Sequence, residues 1–579
     1  MEQVNPIPLA GAAPLDFFTA AARRFRGRVG ALATILCLAL LGVLMGLAAC
    51  RLFAGLTTVG MTGVDEFYYW GVANDFLHGQ YFSDAHRLSL YALYALALKV
   101  LGANDYAIRA FVGGLAVINI ALVYLLARSV ARNSAIALAA AAIYSVNPVV
   151  MYYAGTELPH IAGATFVMIC SLLALPATDR HIDLRLRLAA SLLMGMSAAA
   201  AALTHEDLAF LGAGYFIVLV LPITAPRVTH APSGDRVHDG ALTAGAFILG
   251  AAAAAGGLMV AFGVTPWRMV HDALGVRSDL HANSGVPIGE FFTTVPLRVL
   301  RSITVDAFGN FVTGLLAVAA VIAPIAFVVR RCEGLSRLVS LGIPLVVYGV
   351  GFLGIGRIYL ASGYHRLLLP LLGPILVFAL CGAYLVLRPF WRPAAAAAIL
   401  IWAACVIIGD RPWYFDRPAV GAYRQLYDAL KDRVTSQRKL LLPACFAIDF
   451  PYVGIASYVY LGGSVVPIYL LQDFIGLDAL IAANHVGYVF VPDAPQRGMW
   501  PRERVEQLFR DTYGVAMDRT VLDALPQLSQ DLWRGDTRVE WTGAACAYEA
   551  QVLRRLLDER GARVAVTVSD LGNVYELPR

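Results

Sequence analysis

Apolar stretches recur along this chain at the length of roughly 20 residues that a helix needs to cross a bilayer, and this recurrence limits the fold more than any other feature. The first runs from Val29 to Cys50, directly after a polar segment that ends in Arg23, Arg24, Arg26 and Arg28. Others follow at 107–130, 134–154, 159–177, 187–203, 207–223, 241–264, 306–329, 338–356, 366–387 and 394–409. Lipid offers no partner to backbone N–H and C=O groups, so such stretches must be helical. The expected fold is a polytopic α-helical membrane protein of about 11 transmembrane helices. Composition agrees: 59% of residues are hydrophobic, 15% are charged and mean hydropathy is +0.66, outside the range of a soluble chain of 579 residues.

Basic residues set the expected orientation. Taken alternately from the N-terminus, one set of connections carries Arg23–Arg28, then Arg128 and Arg132, Arg180, Arg185 and Arg187, Arg227 and Arg236, Arg330, Arg331 and Arg337, and Arg388 and Arg392. The opposite set holds Asp65 and Glu66, Glu157, then His205, Glu206 and Asp207, and the loop from 265 to 305. Residues 1–28 are therefore expected in the cytoplasm, with the acidic loops outside. An odd number of spans puts 410–579 outside as well. The net charge of +5 is scattered between apolar segments rather than gathered on one face, which argues against a nucleic-acid partner.

Two motifs read more simply as membrane helix. Leu47-Ala48-Ala49-Cys50 looks like a lipoprotein cleavage site, but the basic region before it is long for a signal and small residues serve helix packing. Gly349-Val350-Gly351-Phe352-Leu353-Gly354 matches a dinucleotide fingerprint only formally, because it lies inside an expected span with no strand before it. Cys37, Cys50, Cys170, Cys381 and Cys405 fall in apolar segments, where a thiol is a small hydrophobe. Cys445 and Cys546 lie in the polar C-terminal region, where a disulfide and two unrelated buried thiols both fit.

Three domains are expected: a cytoplasmic segment at 1–28, a membrane domain at 29–409 with juxtamembrane helices at 61–106, and an extracytoplasmic α/β domain at 410–579. Ser89 to Lys99 reads as a helix at the membrane interface, its tyrosines at headgroup level. In the last domain, strand-like runs at Lys439–Ala447, Tyr488–Val491 and Val564–Val568 alternate with helical patterns at Ala422–Val434, Pro501–Thr512 and Ala550–Glu559.

Chemistry-bearing residues gather on the acidic side. Gly63-Val64-Asp65-Glu66-Phe67-Tyr68-Tyr69-Trp70 sets two carboxylates among aromatic rings at the mouth of a membrane bundle, a functional hypothesis by default, although a helix N-cap or a solvated loop acid also fits. Thr156-Glu157-Leu158-Pro159-His160, Thr204-His205-Glu206-Asp207, and Tyr359 through Pro370 with Arg357, Tyr364, His365 and Arg366 join it. Glu157 also fits a helix cap, and Arg366 a snorkelling arginine at a helix start. His205, Glu206 and Asp207 include a metal-ligand set, but adjacent residues project in different directions, which favours a structural interface there. No other ligand pattern asks for a metal, and no cofactor is expected. A carboxylate that deprotonates an acceptor hydroxyl, with arginine neutralising a leaving phosphate, suits transfer of a group from a phosphorylated lipid.

The Asp65-Glu66 pair after the first span, a juxtamembrane helix ending in Lys99-Val100-Leu101-Gly102 with Asp105 and Arg109 close behind, Glu157, and Arg366-x-x-x-Pro370 before a late span together resemble the C-superfamily of membrane glycosyltransferases. Within it, the chain is most similar to the group of protein O-mannosyltransferases and lipid A aminoarabinose transferases, over residues 20–390. The resemblance implies transfer of a sugar from a polyprenyl-phosphate donor to an extracytoplasmic lipid, glycan or protein in a bacterial inner membrane. It gives Asp65 as the general base beside Glu66, Glu157 as the second acid, and Arg366 near the donor phosphate with Tyr364 and His365. Where aminoarabinose transferases carry Lys-Pro-Pro-Leu, this chain has His86-Arg87-Leu88-Ser89, so His86 or Arg87 stands in for the missing lysine and the donor sugar can differ. A secondary transporter or flippase would instead need mid-span charges and two similar halves, which the sequence lacks. A non-catalytic assembly factor would leave the outward acids dispensable.

Overall fold

The computed structural model describes residues 13–54, 56, 64–79, 87–104, 106–156, 158–179, 181–220, 233–272, 335–355, 365–388, 392–409, 422–443, 464–467, 476–492, 499–501, 506, 507, 510, 538–568 and 572–578. Apolar composition produces helices wherever expected among them. They are α1 (Ala13–Ala54), the pair α2 (Val64–Leu77) and α3 (Leu88–Leu101), α4 (Ala107–Ala131), α5 (Ser134–Val146), α6 (Pro148–Ala154), α7 (His160–Thr178), α8 (Leu184–Ala202), α9 (Ala209–Val220), α10 (Ser233–Phe262), α11 (Leu335–Ile355), α12 (His365–Leu387) and α13 (Arg392–Gly409). Among the described residues, 6 helices are long and apolar enough to cross a membrane: parts of α1, α10 and α12, and the whole of α4, α7 and α8. The expected span at 306–329 lies outside the described residues.

One expected span is two helices. Asn147 ends α5 and caps α6, its Oδ1 accepting the N–H groups of Val149 and Val150 at 3.0 and 3.1 Å. Pro148 follows at the first helical position, where its missing donor costs nothing. Asn133 caps α5 in the same way, from Ala135 and Ile136.

Small residues decide how the helices approach. A Cβ on Gly195 of α8 would lie 2.0 Å from the Phe247 carbonyl of α10, and one on Gly250 of α10 would lie 2.0 Å from the Leu192 carbonyl of α8. Both positions therefore require glycine, the membrane pattern in which backbones touch through small residues. A Cβ on Gly351 of α11 would lie 2.5 Å from the Phe210 ring of α9, so this glycine of the 349–354 motif serves close packing inside a helix, while Gly349 has nothing within 4 Å. Helix α1 runs unbroken through Cys50.

Contacts sort the helix ends. At one end, Arg109 at the start of α4 donates to Leu56 O just beyond α1 at 2.9 Å, Ser89 N of α3 donates to Leu203 O after α8, and the Phe76 ring of α2 stacks on Phe262 at the end of α10. At the other end, Asn133 donates to Tyr384 of α12, Arg337 of α11 pairs with Asp179 after α7, and the buried Arg187 of α8 holds Asp239 of α10 at 2.9 Å.

Beyond α13, the described residues form α14 (Ala422–Leu430), β1 (Lys439–Leu442), β2 (Val465–Pro467), α15 (Leu477–Ala483), β3 (Val486–Pro492), β4 (Met499–Pro501), β5 (Arg538–Glu540), α16 (Trp541–Glu559), β6 (Arg563–Val568) and β7 (Gly572–Glu576). The main sheet has 5 strands in the order β2-β1-β3-β7-β6, with β1 parallel to both neighbours and β7 antiparallel to both of its own. Pro501, expected to open a helix, closes strand β4 instead. Helix α16 extends nine residues further towards the N-terminus than the pattern at Ala550–Glu559 indicates. Cys546 lies in α16 and Cys445 outside the described residues, and the five thiols in apolar segments are free.

Candidate functional site

The end of the bundle marked by Arg109, Ser89 and Phe262 also gathers the polar side chains. Arg87 sits just before α3, its Nε 3.5 Å from Glu206 Oε2, its Nη1 donating to the Tyr69 hydroxyl, and its guanidinium 5.4 Å from the centre of the Tyr69 ring. The two charged side chains are only 15% and 11% exposed. Enclosure strengthens their attraction, because little water screens it, but it also costs desolvation, so the pair marks the site more than it stabilises the fold.

Glu206 opens a 3-10 turn (Glu206–Leu208) that joins α8 to α9. His205 precedes it with extended backbone, φ −152° and ψ 121°, which turns its imidazole back over the turn. Its Nδ1 lies 4.0 Å from Glu206 Oε2 and 3.7 Å from Asp207 Oδ2. One ligand atom of each of the three falls within 4.8 Å of the others. The sequence expectation that these neighbours project apart is therefore corrected: it assumed one regular conformation, and the extended residue breaks it. An imidazole and two carboxylates can hold a divalent cation. Arg87 already brings a positive charge to Glu206, so a metal there would share that acid with a guanidinium.

Aromatic rings enclose the cluster. The buried His160, first residue of α7, has its ring 5.5 Å from that of His205 and 5.6 Å from that of Tyr153. Tyr91 and Tyr94 are fully buried with ring centres 6.3 and 6.5 Å from Tyr69, and Tyr94 donates to Leu158 O. These tyrosines were expected at headgroup level. Burial turns both rings towards α2 and the turn before α7, where the Tyr94 hydroxyl finds its partner.

Helix α12 arrives at the same place. A Cβ on Gly163 of α7 would lie 2.8 Å from Leu208 Cδ1 of the 3-10 turn and 3.7 Å from Pro370 Cγ of α12. His365 and Arg366 occupy the first turn of α12, one turn before Pro370; Asp65 and Glu66 occupy the first turn of α2, one turn before Tyr69. The side chains of these four residues are outside the described set, as are His86, Glu157 and Tyr364 altogether. Arg87 is thus the candidate whose contacts are visible. The sequence favours an interface at His205, Glu206 and Asp207, and names Tyr69 and His160 within their motifs without giving either a role of its own. The available signal was Arg87 itself, a cation that needed an enclosed acid.

Fold and site together define a polytopic membrane protein with an enclosed, charge-paired polar cluster at one end of its helices. No protein-family profile and no curated protein sequence matches the chain. Among solved structures, the chain is similar to ArnT from Cupriavidus metallidurans bound to undecaprenyl phosphate, at 13% identity and a TM-score of 0.49 over 79% of this chain and 95% of that one. It is also similar to the Archaeoglobus fulgidus oligosaccharyltransferase in complex with Zn and sulfate, at 13% identity and a TM-score of 0.46 over 81% of this chain and 70% of that one.

Proposed function

We propose that this protein is a glycosyltransferase that moves a sugar from a polyprenyl-phosphate donor to an extracytoplasmic acceptor, a lipid, glycan or protein, at a bacterial inner membrane. Its N-terminus is then cytoplasmic and its C-terminal α/β domain periplasmic, capping the site or selecting the acceptor. The observation that carries this reading is the enclosed Arg87–Glu206 pair, 3.5 Å apart, at the bundle end where α2 and α12 begin. The Tyr69 ring and hydroxyl orient the guanidinium before a phosphate arrives, which lowers the ordering cost of binding it, while Glu206 balances its charge until the phosphate competes for it.

In the proposed reaction, Asp65 accepts the proton of the acceptor hydroxyl as that oxygen attacks the anomeric carbon. The bond from that carbon to the phosphate oxygen breaks, and polyprenyl phosphate leaves with one more negative charge. Arg87 and Arg366, with His86, Tyr364 and His365 nearby, meet that charge. Glu66 and Glu157 shape the acceptor and donor sites. General-base help of this kind is worth about 10²–10⁴ in rate. The chemistry asks no metal of the protein, although His205, Glu206 and Asp207 could hold one.

The test incubates purified protein in nanodiscs with a panel of radiolabelled polyprenyl-phosphate sugars and membrane extract, comparing wild type with Asp65→Asn. One sugar should move to an acceptor, and the substitution should abolish transfer while donor binding persists. Failure of every donor to bind or react, with Asp65→Asn leaving the cell unaffected, would reject the enzyme.

A further inference from the structure

Residues 155–159 connect α6 to α7, and Glu157 is the middle one. The residues on either side of it are fixed. Thr156 is buried, and its Oγ1 donates to Tyr153 O at 2.9 Å and accepts from Leu158 N at 3.5 Å, a turn closed by a threonine hydroxyl. Leu158 is held from elsewhere in the chain: its carbonyl accepts the Tyr94 hydroxyl of α3 at 3.2 Å. Among the described residues, this is the only hydrogen bond to 155–159 from outside α6, the turn and α7. Glu157 lies outside the described residues, but consecutive Cα atoms are about 3.8 Å apart, so whatever fixes Thr156 and Leu158 limits where its carboxylate can reach.

Tyr94 is tied to the other half of the site as well. Arg87 caps α3, and Arg87, Tyr91 and Tyr94 follow one another at i, i+4 and i+7, along one face of the helix. The Tyr69 ring lies against that face, its centre 5.4 Å from the Arg87 guanidinium and 6.5 Å from the centre of the Tyr94 ring. From Arg87 to Tyr94 the helix rises roughly 10 Å, at 1.5 Å per residue. A rigid element therefore sets the distance between the guanidinium and the turn that carries Glu157.

We propose that Tyr94 is a positioning residue for Glu157: its hydroxyl fixes the turn so that the carboxylate meets the hydroxyls of the donor's sugar while Arg87 holds the phosphate of the same molecule. The proposal rests on the glycosyltransferase reading and names how the site recognises a carrier that bears a sugar. Hydrogen bonds to an ionised carboxylate are about twice as strong as neutral ones, but only with the group already in place. A carboxylate that has to be ordered on binding loses much of that gain. A buried tyrosine also needs a partner for its hydroxyl. A bond made for that reason alone would leave sugar recognition untouched when it is removed from a folded protein.

The test measures Kd in nanodiscs of uncharged lipid, without acceptor, for two kinds of ligand of equal charge. One is polyprenyl phosphate carrying mannose, glucose, arabinose or aminoarabinose; the other is polyprenyl methyl phosphate, which has no sugar. Wild type should bind one of the sugar-bearing carriers about tenfold more tightly than the methyl ester. Tyr94→Phe should bring the two values together and leave the methyl ester unchanged, which shows that the fold and the Arg87 site are intact. Glu157→Gln should do the same, and the double variant should lose nothing more. Thr156→Val loosens the turn from its other side and should reduce the preference too, which serves if Tyr94→Phe does not fold. Arg87→Gln should weaken both ligands equally and keep the ratio. A preference that survives Tyr94→Phe, or losses from Tyr94→Phe and Glu157→Gln that simply add, would overturn the proposal. A wild type that binds the methyl ester and prefers no sugar overturns it alone, whereas one that binds neither ligand rejects the donor reading as well.

Discussion

Glu206 and a bound phosphate should compete for the same guanidinium, and the competition fixes the sign of a mutational effect. At 3.5 Å the gross attraction between Arg87 and Glu206 is roughly 5 kcal/mol at an effective dielectric of about 20. Desolvation of two mostly enclosed groups offsets most of it, leaving a net of about 1 kcal/mol. Arg87→Gln removes a charge-assisted contact to the donor phosphate and should weaken polyprenyl phosphate binding by about 1.5–3 kcal/mol, roughly 10–150-fold in Kd. Glu206→Gln releases the guanidinium and should tighten binding by about 1 kcal/mol, roughly fivefold. In the double variant that gain should vanish, because no guanidinium remains to be released. The assay is titration of polyprenyl phosphate into protein in nanodiscs of uncharged lipid, with and without EDTA. If Glu206→Gln weakens binding while Arg87 is present, or EDTA does so in the wild type, then a cation on His205, Glu206 and Asp207 holds the phosphate and the reasoning about Arg87 is wrong.

Gly195→Leu and Gly250→Leu should each prevent α8 and α10 from closing, since backbone rather than a movable side chain lies 2.0 Å from the new Cβ; the loss should reach or exceed the ~3 kcal/mol upper range for overpacking, read as loss of monodisperse protein in detergent. Asp239→Asn should leave the buried Arg187 without its counter-charge and cost about 1.5–3 kcal/mol, less than for a fully buried pair because water reaches a third of the Asp239 side chain, while Arg187→Met with Asp239→Leu should recover most of that, measured by thermal unfolding. Burial raises the carboxyl pKa of Asp75 on α2, with His78 opposing it. The folded state then holds the proton more tightly than the unfolded one, so the contribution is fully present below the ordinary carboxylate range and lost as pH rises through the raised value. Protection from hydrogen exchange across 64–79, taken relative to the intrinsic exchange rate at each pH, should accordingly rise on acidification, and Asp75→Asn should remove that rise.

The helices were legible because lipid leaves one answer: an apolar run of sufficient length has to bond its own backbone. The break at 147 was legible in principle too, since Asn147-Pro148 pairs a cap with a residue suited to the first turn, yet apolar residues on both sides hid it. In the C-terminal region β2 is only 3 residues long and β7 starts from Gly572, at φ 144°; neither gives a pattern that stands out without its partners. The site was harder for a different reason. Two of its pairs come from segments far apart in sequence, Arg87 against Glu206 and His160 against His205, so no local window contains either of them. The one local set, His205-Glu206-Asp207, is drawn together because His205 is extended before the 3-10 turn, a change of conformation that the order of the residues does not display. Where charge is this scarce, an enclosed cation implies an enclosed acid, and each arginine at the mouth of such a bundle has to be matched with a carboxylate before either is assigned to surface or packing. By that logic Arg366, at the start of α12 and one turn from Pro370, should act on the same phosphate as Arg87. Arg366→Gln combined with Arg87→Gln should then lose less affinity than the two single losses together, and strict additivity within about 0.5 kcal/mol would place Arg366 elsewhere.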